Sequence, residues 1–242
     1  MAVFQDAVNL GRAANHPEKV RGTMGKMWRM TRFPGALFGG ELAEALNAEL
    51  GAESPNLFTT SPTRPDRGPV SVTDGRSRVS VLTADETYLL TFLRGAKGWA
   101  HGSCLDRRQV AEAARAWLAG TGLEEMAARW PFVEFSELQL AYERGDALET
   151  QWRIVRRDAT EFYRDVVDLA ADHPTVSRFF PGLGHNFLFM PDAYDSRLLA
   201  SVAFQKPGHF RLHVPGHPDP LAEGDPSTVI AKLAELLESL EN

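Results

Sequence analysis

The chain has 242 residues and a formal net charge of −6, with 43% apolar and 24% charged residues. These proportions are typical of a globular protein, and the acidic balance argues against a nucleic-acid or anionic-membrane binder, which would carry a basic surface. A single cysteine excludes an internal disulfide and a multi-cysteine metal site. Together with an N-terminus that lacks a long apolar run, it predicts a cytoplasmic protein.

The N-terminal part predicts helices followed by irregular chain. Apolar residues at helical spacing indicate a short helix within 1–15 and a second helix within 39–53, where leucines recur every four residues. Residues 54–69 contain four prolines and predict an extended linker.

The next segment has the pattern of an antiparallel meander. Apolar residues alternate with polar ones in 76–84, a β-rich run occupies 87–95, and GWAHGS at 98–103 reads as a third strand. Short connections at Asp85–Glu86 and around Gly95–Gly98 predict two tight turns.

Helical patterns follow. Asp106 is expected to cap the first helix, with Gln109 at the capping-box position, and Thr121 to cap the second. A short helix comes next. A helix of roughly twenty-five residues then begins after Asp146 and ends at His173–Pro174.

The C-terminal part returns to strands and closes with a helix. The segment 175–182 predicts a short turn or helix, and three β-rich segments follow it, at 185–190, 197–204 and 209–214. Asp225 as N-cap and Pro226 at the first helical position predict the start of the final helix.

These elements define an α+β fold of antiparallel sheets with packed helices. The order of elements also suggests a duplicated αβββα unit. We divide the chain into N-terminal helices and linker (1–69), a first α+β unit (70–145) and a second (146–242), or into one compact domain overall.

The middle and C-terminal parts resemble a known family. GWAHGS leads into an Asp-capped helix, WPFVEF follows, and a long helix carrying QW and RDATEFYRDVVDLAADHP precedes RFFPGLGHNFLF. This order, over about residues 75–240, is similar to the DUF6193 proteins, described as natural-product biosynthesis proteins and found mainly in actinobacteria. The resemblance implies a biosynthetic-cluster context and assigns no catalytic residue.

Candidate catalytic residues are histidines and a carboxylate. His101, Glu134 and His185 suit general acid–base chemistry in a site that also contains Trp152. Cys104 lies three residues after His101, but strand alternation places the two side chains on opposite faces, so we interpret Cys104 as a helix-entry residue.

Candidate ligand-binding residues are aromatic and arginine side chains, which suit a peptide or an anionic small molecule. They are Trp28, Arg29, Arg32, Trp99 and Trp152. No cofactor is predicted, and no metal site either. His209 and His213 on one strand would be about 13 Å apart, so a zinc site would need His217 or His185 folded back towards them.

Three functions remain open from the sequence. The first is an accessory or binding protein of a bacterial natural-product pathway that acts on a precursor peptide or a partner enzyme. The second is a small cofactor-independent enzyme using His/carboxylate chemistry, and the third is an immunity or self-protection protein. The expected partners are a peptide, a small molecule or a pathway enzyme, with no nucleic acid and no membrane; a homodimer is left open.

Overall fold

The computed structural model describes residues 37, 39–51, 57–60, 68–84 and 86–241. Within these residues the chain forms an α+β fold of antiparallel sheets with packed helices, as predicted. In the same residues it has seven α-helices and two sheets. It divides into two compact units between Thr150 and Gln151. The helix expected within 1–15 lies outside the described residues.

The first unit is a sheet with helices. Its described elements, up to the helix that crosses the unit boundary, are α1 (Gly39–Leu50), β1 (Thr59–Thr60), β2 (Val70–Thr73), β3 (Ser77–Ala84), β4 (Thr87–Arg94), β5 (Lys97–Cys104), α2 (Arg107–Leu118), α3 (Leu123–Arg129), β6 (Val133–Glu134), α4 (Glu137–Arg144) and α5 (Ala147–Asp158). The strands pair in chain order, β1 to β6, and every neighbouring pair is antiparallel.

Side-chain alternation gives this sheet one buried face. Val79 and Val81 on β3 are buried together with Leu90 and Phe92 on β4, whereas their chain neighbours are partly or fully exposed. Helix α1 packs on α2 and on β1–β2, and α2 packs on β3, β4 and β5. The buried valines and aromatics therefore form a core under these helices.

The predicted meander is confirmed, with one correction at its second turn. Ala84 pairs with Thr87 and Arg94 pairs with Lys97, so both connections are two residues long. Gly95 has a φ of +59°, which suits glycine in a tight turn, but Gly98 lies inside β5. The predicted linker also needs correction, because Thr59–Thr60 within it pairs with β2 as β1.

The N-cap of α2 agrees with the prediction from the sequence, and the N-cap of α3 differs from it. The Asp106 carboxylate accepts hydrogen bonds from the backbone N–H groups of Arg108 and Gln109, as expected of an N-cap. The N-cap of α3 is Gly122 and not Thr121. Glycine has no side chain to accept a hydrogen bond, and the Leu123 N–H instead donates to Glu143 Oε2 at 2.9 Å.

The second unit also contains an antiparallel meander. After α5 its elements are α6 (Arg164–Asp172), a 3₁₀ turn (Val176–Arg178), β7 (Phe180–Leu183), β8 (Phe187–Met190), β9 (Ala200–Lys206), β10 (His209–His213), β11 (Ala222–Gly224) and α7 (Pro226–Glu241). The three predicted strands are confirmed as β8, β9 and β10. The segment 175–182, predicted as a turn or helix, also contributes strand β7.

The predicted twenty-five-residue helix is wrong, because the chain breaks between α5 and α6. The Thr160 carbonyl accepts hydrogen bonds from the N–H groups of both Tyr163 and Arg164, which closes a tight turn. The Tyr163 hydroxyl donates to the His185 carbonyl at 2.8 Å and accepts from the Phe204 N–H at 3.1 Å. These long-range contacts stabilise the break, and the local helical pattern carries no information about them.

Each unit contains a helix, an antiparallel meander and a second helix. In the first unit α1 precedes β1–β5 and α2 follows them; in the second α6 precedes β7–β11 and α7 follows them. The paired helices also pack on each other, α1 on α2 and α6 on α7. Within the described chain each meander has five strands, so the predicted αβββα repeat has the right order and too few strands.

Candidate functional site

A row of polar side chains crosses the first sheet on the face opposite its buried valines. Cross-strand partners in an antiparallel sheet share a face, and here the pairing joins one residue from each strand. In order from β1 to β6 the row is Thr59, Ser71, Ser80, Thr91, His101 and Glu134. We call these six residues the polar row. All of them are exposed or half-buried.

His101 and Glu134, both predicted from the sequence, end this row as neighbours. They are direct cross-strand partners on β5 and β6, and His101 Nε2 lies 3.4 Å from Glu134 Oε2. Their side chains are 64% and 72% exposed, respectively. The pair is thus solvated and can meet a ligand that approaches this face from solvent.

An apolar pair lies beside the polar row. Leu82 on β3 and Leu89 on β4 are direct cross-strand partners, two residues along the strands from Ser80 and Thr91 and on the same face. They are 46% and 42% exposed. We call Leu82 and Leu89 the leucine pair. The polar row and the leucine pair together define the open face of the first sheet.

Sequence reasoning missed most of this face. Only His101 and Glu134 were proposed as site residues, whereas the hydroxyl residues of the row and the leucine pair were not. Alternation in 76–84 does indicate which residues share a face, since Ser80 lies between the buried Val79 and Val81 and Leu82 follows Val81. The signal that was missing is the register between strands, which brings residues distant in sequence into one row.

Trp99 is buried in the first unit, where a β-bulge positions it. Phe92 pairs with Ala100 and Leu93 pairs with Gly98, so Trp99 is the extra residue of β5. Its ring packs near Tyr142 and lies under the Arg94 guanidinium at 4.7 Å. The structure gives Trp99 a packing role, and its ligand-binding role stays a prediction.

Trp152 and His185 belong to the second unit. Trp152 is buried, its indole N–H donates to the Ser177 carbonyl at 2.9 Å, and its ring packs edge-on against Phe187. The His185 side chain is exposed on the connection between β7 and β8, and its carbonyl accepts the Tyr163 hydroxyl. Their proposed roles in ligand binding and catalysis stay predictions.

The arginine and tryptophan candidates near the N-terminus and Cys104 differ in how much the structure says of them. Trp28, Arg29 and Arg32 lie outside the described residues. Cys104 pairs with Tyr88 whereas His101 pairs with Thr91, as expected for residues three apart on one strand. The Cys104 sulfur accepts the Asp106 N–H at 3.3 Å, which fits the interpretation of Cys104 as a helix-entry residue.

The second sheet carries a charged cluster on β10 and β11. Arg211 and Glu223 are cross-strand partners joined by two hydrogen bonds, of 2.7 and 3.3 Å, and His209 Nε2 lies 2.9 Å from Glu223 Oε1. Hydrogen bonds from the Arg211 guanidinium, and then the contact with His209, lower the pKa of Glu223 to about 2. This cluster joins the short strand β11 to the rest of the sheet.

The Glu223 contact predicts a pH dependence of stability. A carboxylate whose pKa is lower in the folded state contributes stability above its unfolded pKa of about 4.5 and loses it as the pH falls towards 2. We expect the stability difference between wild type and Glu223→Gln to be largest at pH 7 and to shrink between pH 5 and pH 2. Urea unfolding midpoints across this range measure it.

Asp219→Asn, at an exposed position of the same unit, is the control. It is expected to leave the pH profile of the wild type unchanged. A Glu223→Gln profile parallel to that of wild type from pH 7 to pH 2 would show that the contact with Arg211 does not contribute to stability.

Two further properties of the described residues bear on function. They contain no helix long and apolar enough to cross a membrane. No group of three or more His, Cys, Asp or Glu side chains in the described ranges is arranged to hold a metal ion.

Comparison with known proteins gives no assignment. The chain matches no protein-family model, and neither the curated proteins nor the solved structures include a significant match. The similarity to the DUF6193 proteins therefore stays a prediction.

Proposed function

We propose that this protein is an accessory protein of a bacterial natural-product pathway that binds a precursor peptide on the open face of the first sheet. The pathway context comes from the resemblance of the sequence to the DUF6193 proteins. The observation that carries the binding role is the open face, where hydroxyl, imidazole and carboxylate groups adjoin two exposed leucines.

The composition of this face suits a peptide. Ser and Thr hydroxyls both donate and accept hydrogen bonds, so the polar row can pair with backbone N–H and C=O groups of a ligand. Leu82 and Leu89 offer apolar surface to a ligand side chain, and their burial would stabilise the complex. Small residues in the row, such as Ser71 and Ser80, leave room for close approach.

The direct test is binding of a candidate precursor peptide, chosen from the genes that neighbour this one. We expect saturable binding by isothermal titration calorimetry, and we expect Leu89→Thr to weaken it about tenfold, because apolar burial of a leucine contributes roughly 1.5 kcal/mol. Leu221→Thr is a matched control, since Leu221 lies in the second unit and is 40% exposed. Absence of binding by the wild type, or equal losses in both variants, would contradict the proposal.

One observation favours a second candidate, an enzyme with acid–base chemistry. His101 and Glu134 lie within 3.4 Å, and Thr91 precedes them in the polar row, so a hydroxyl, an imidazole and a carboxylate are adjacent. Under this hypothesis His101 would act as the general base, oriented by Glu134. The high exposure of both side chains supports binding more than proton transfer, because general acid–base sites exclude water to shift pKa values.

Mass spectrometry separates the two candidates. The precursor peptide is incubated with wild type, His101→Ala or Glu134→Gln, and its mass is recorded before and after. A mass change that requires His101 would support the enzyme. An unchanged peptide mass together with measurable binding would support the accessory role.

A further inference from the structure

The positions of Leu89 and Glu134 on the open face define a spacing. Glu134 lies two strands from Leu89, on β6, and two residues away along the strand direction, because Leu89 pairs with Ser103 of β5 whereas Glu134 pairs with His101. Neighbouring strands are about 4.8 Å apart, and successive residues on one face are about 6.8 Å apart along a strand. The apolar and the acidic contact points are therefore about 12 Å apart.

An extended peptide matches this spacing at only one offset. Its alternate side chains point to the same side, so residues i, i+2 and i+4 can face the sheet together. The separation between i and i+4 is about 13 Å, close to the distance between the two contact points. An offset of three residues gives about 10 Å and turns the second side chain away.

The charge at Glu134 selects the side chain at that end. A carboxylate has lone pairs that can accept hydrogen bonds from several donors. The contact between Glu134 and His101 uses only one carboxylate oxygen, and its 3.4 Å is longer than a strong charge-assisted hydrogen bond. A Lys or Arg side chain is complementary in charge and can reach the other oxygen. An acidic side chain would be repelled.

We propose that the open face binds extended peptide segments in which a Lys or Arg stands four residues from an apolar side chain. The basic side chain pairs with Glu134, and the apolar one packs on the leucine pair. This inference rests on the proposed function and specifies its ligand.

A second copy of the chain is the other candidate occupant of this face. The leucine pair exposes little apolar area, since each of its side chains is less than half exposed. A stable protein–protein interface buries roughly 1,200 Å² or more, far beyond what this pair supplies. A short peptide therefore fits the face better than a second copy does.

The test uses labelled synthetic peptides and fluorescence anisotropy with the full-length protein. The first peptide is Ser-Lys-Ser-Thr-Ser-Leu-Ser, which has the four-residue offset. The second, Ser-Lys-Ser-Thr-Leu-Ser-Ser, has the same composition and an offset of three. The third replaces Lys of the first peptide with Glu.

We expect the wild type to bind the first peptide at least fivefold more tightly than either of the others. Glu134→Gln should weaken binding of the first peptide about tenfold, whereas Glu125→Gln, an exposed carboxylate on α3, should leave it unchanged. Glu134→Lys should reverse the preference, so that the Glu peptide binds more tightly than the Lys peptide.

Several results would overturn the inference. These are equal affinities for the first two peptides, no saturable binding of the first up to about 1 mM, and no response to either Glu134 variant. A dimer in sedimentation velocity that Leu89→Thr dissociates would also overturn it, because a second copy would then occupy the face.

The outcome also distinguishes this inference from the proposed function. If the pathway's own precursor peptide binds the wild type and Leu89→Thr weakens that binding but neither Glu134 variant does, the spacing rule fails and the accessory role stands. If the precursor does not bind the wild type, the proposed function itself fails.

Discussion

Trp117→Ala is expected to destabilise the first unit by about 3–5 kcal/mol, the usual loss when a fully buried tryptophan is truncated. Trp117 is fully buried, and its indole N–H donates to the Leu93 carbonyl at 3.1 Å. Its ring packs edge-on against Phe92 at 5.7 Å between centroids, and the Arg94 guanidinium lies 4.4 Å from the ring centre. The loss is a large part of the 5–15 kcal/mol that typically stabilises a domain.

Trp117→Phe separates the contribution of ring packing from that of the hydrogen bond to the Leu93 carbonyl. It keeps an aromatic ring in the core but removes the donor to Leu93, so a smaller loss of about 1–2 kcal/mol is expected. Urea unfolding followed by far-UV circular dichroism measures both variants, with Leu240→Ala at an exposed helix position as the control. A Trp117→Ala midpoint equal to that of the control would contradict the role of this core contact.

The same pair of variants links stability to function. The Trp117 indole N–H donates to the Leu93 carbonyl of β4, and β4 carries Leu89 and Thr91 on the open face. Trp117→Phe should fold and keep peptide binding, whereas Trp117→Ala should lose binding in proportion to its unfolded fraction.

Glu143→Ala should destabilise the first unit by about 2–3 kcal/mol, because it removes two interactions at once. Glu143 Oε1 accepts a hydrogen bond from the Arg94 guanidinium at 3.1 Å, and Oε2 accepts the Leu123 N–H at the start of α3. The side chains of Arg94 and Glu143 are 27% and 22% exposed, which makes their ion pair less screened than a surface pair.

A second glutamate in the same region provides the matched control. Glu124 pairs with Arg144 at 2.9 Å, but both side chains are more than half exposed, so Glu124→Ala should cost no more than about 0.5 kcal/mol. Glu143→Gln should fall between wild type and Glu143→Ala, because an amide oxygen can still accept the Leu123 N–H. Equal unfolding midpoints for Glu143→Ala and Glu124→Ala would show that the contacts of Glu143 with α3 and Arg94 do not contribute to stability.

Local signals in the sequence determined much of the fold. Alternation identified β3, β-rich composition identified β4 and β5, and a glycine marked the turn at Gly95. Short-range capping chemistry located the start of α2 at Asp106 and of α7 at Asp225, whose carboxylate accepts the Thr228 N–H at 2.8 Å. These predictions succeeded because the interactions involve residues within a few positions of each other.

The two wrong predictions, of one long helix and of the N-cap of α3, involve contacts between residues that are distant in sequence. The break between α5 and α6 depends on the Tyr163 hydroxyl reaching the His185 and Phe204 backbones. The start of α3 depends on Glu143, twenty residues after Leu123. Neither contact has a local pattern, so the apolar spacing predicted a continuous helix and the local capping pattern assigned the N-cap of α3 to Thr121.

For the candidate site too, some features follow from the sequence and others only from the tertiary structure. The sequence by itself determined that the chain is an α+β protein and that His101 and Glu134 carry groups capable of proton transfer or ion pairing. Only the tertiary structure decided that they are neighbours in one row with Ser80 and Thr91, beside Leu89. The physical reason is that alternation fixes the face on which a side chain lies, whereas the register between strands, set by turn geometry and packing, fixes its neighbours.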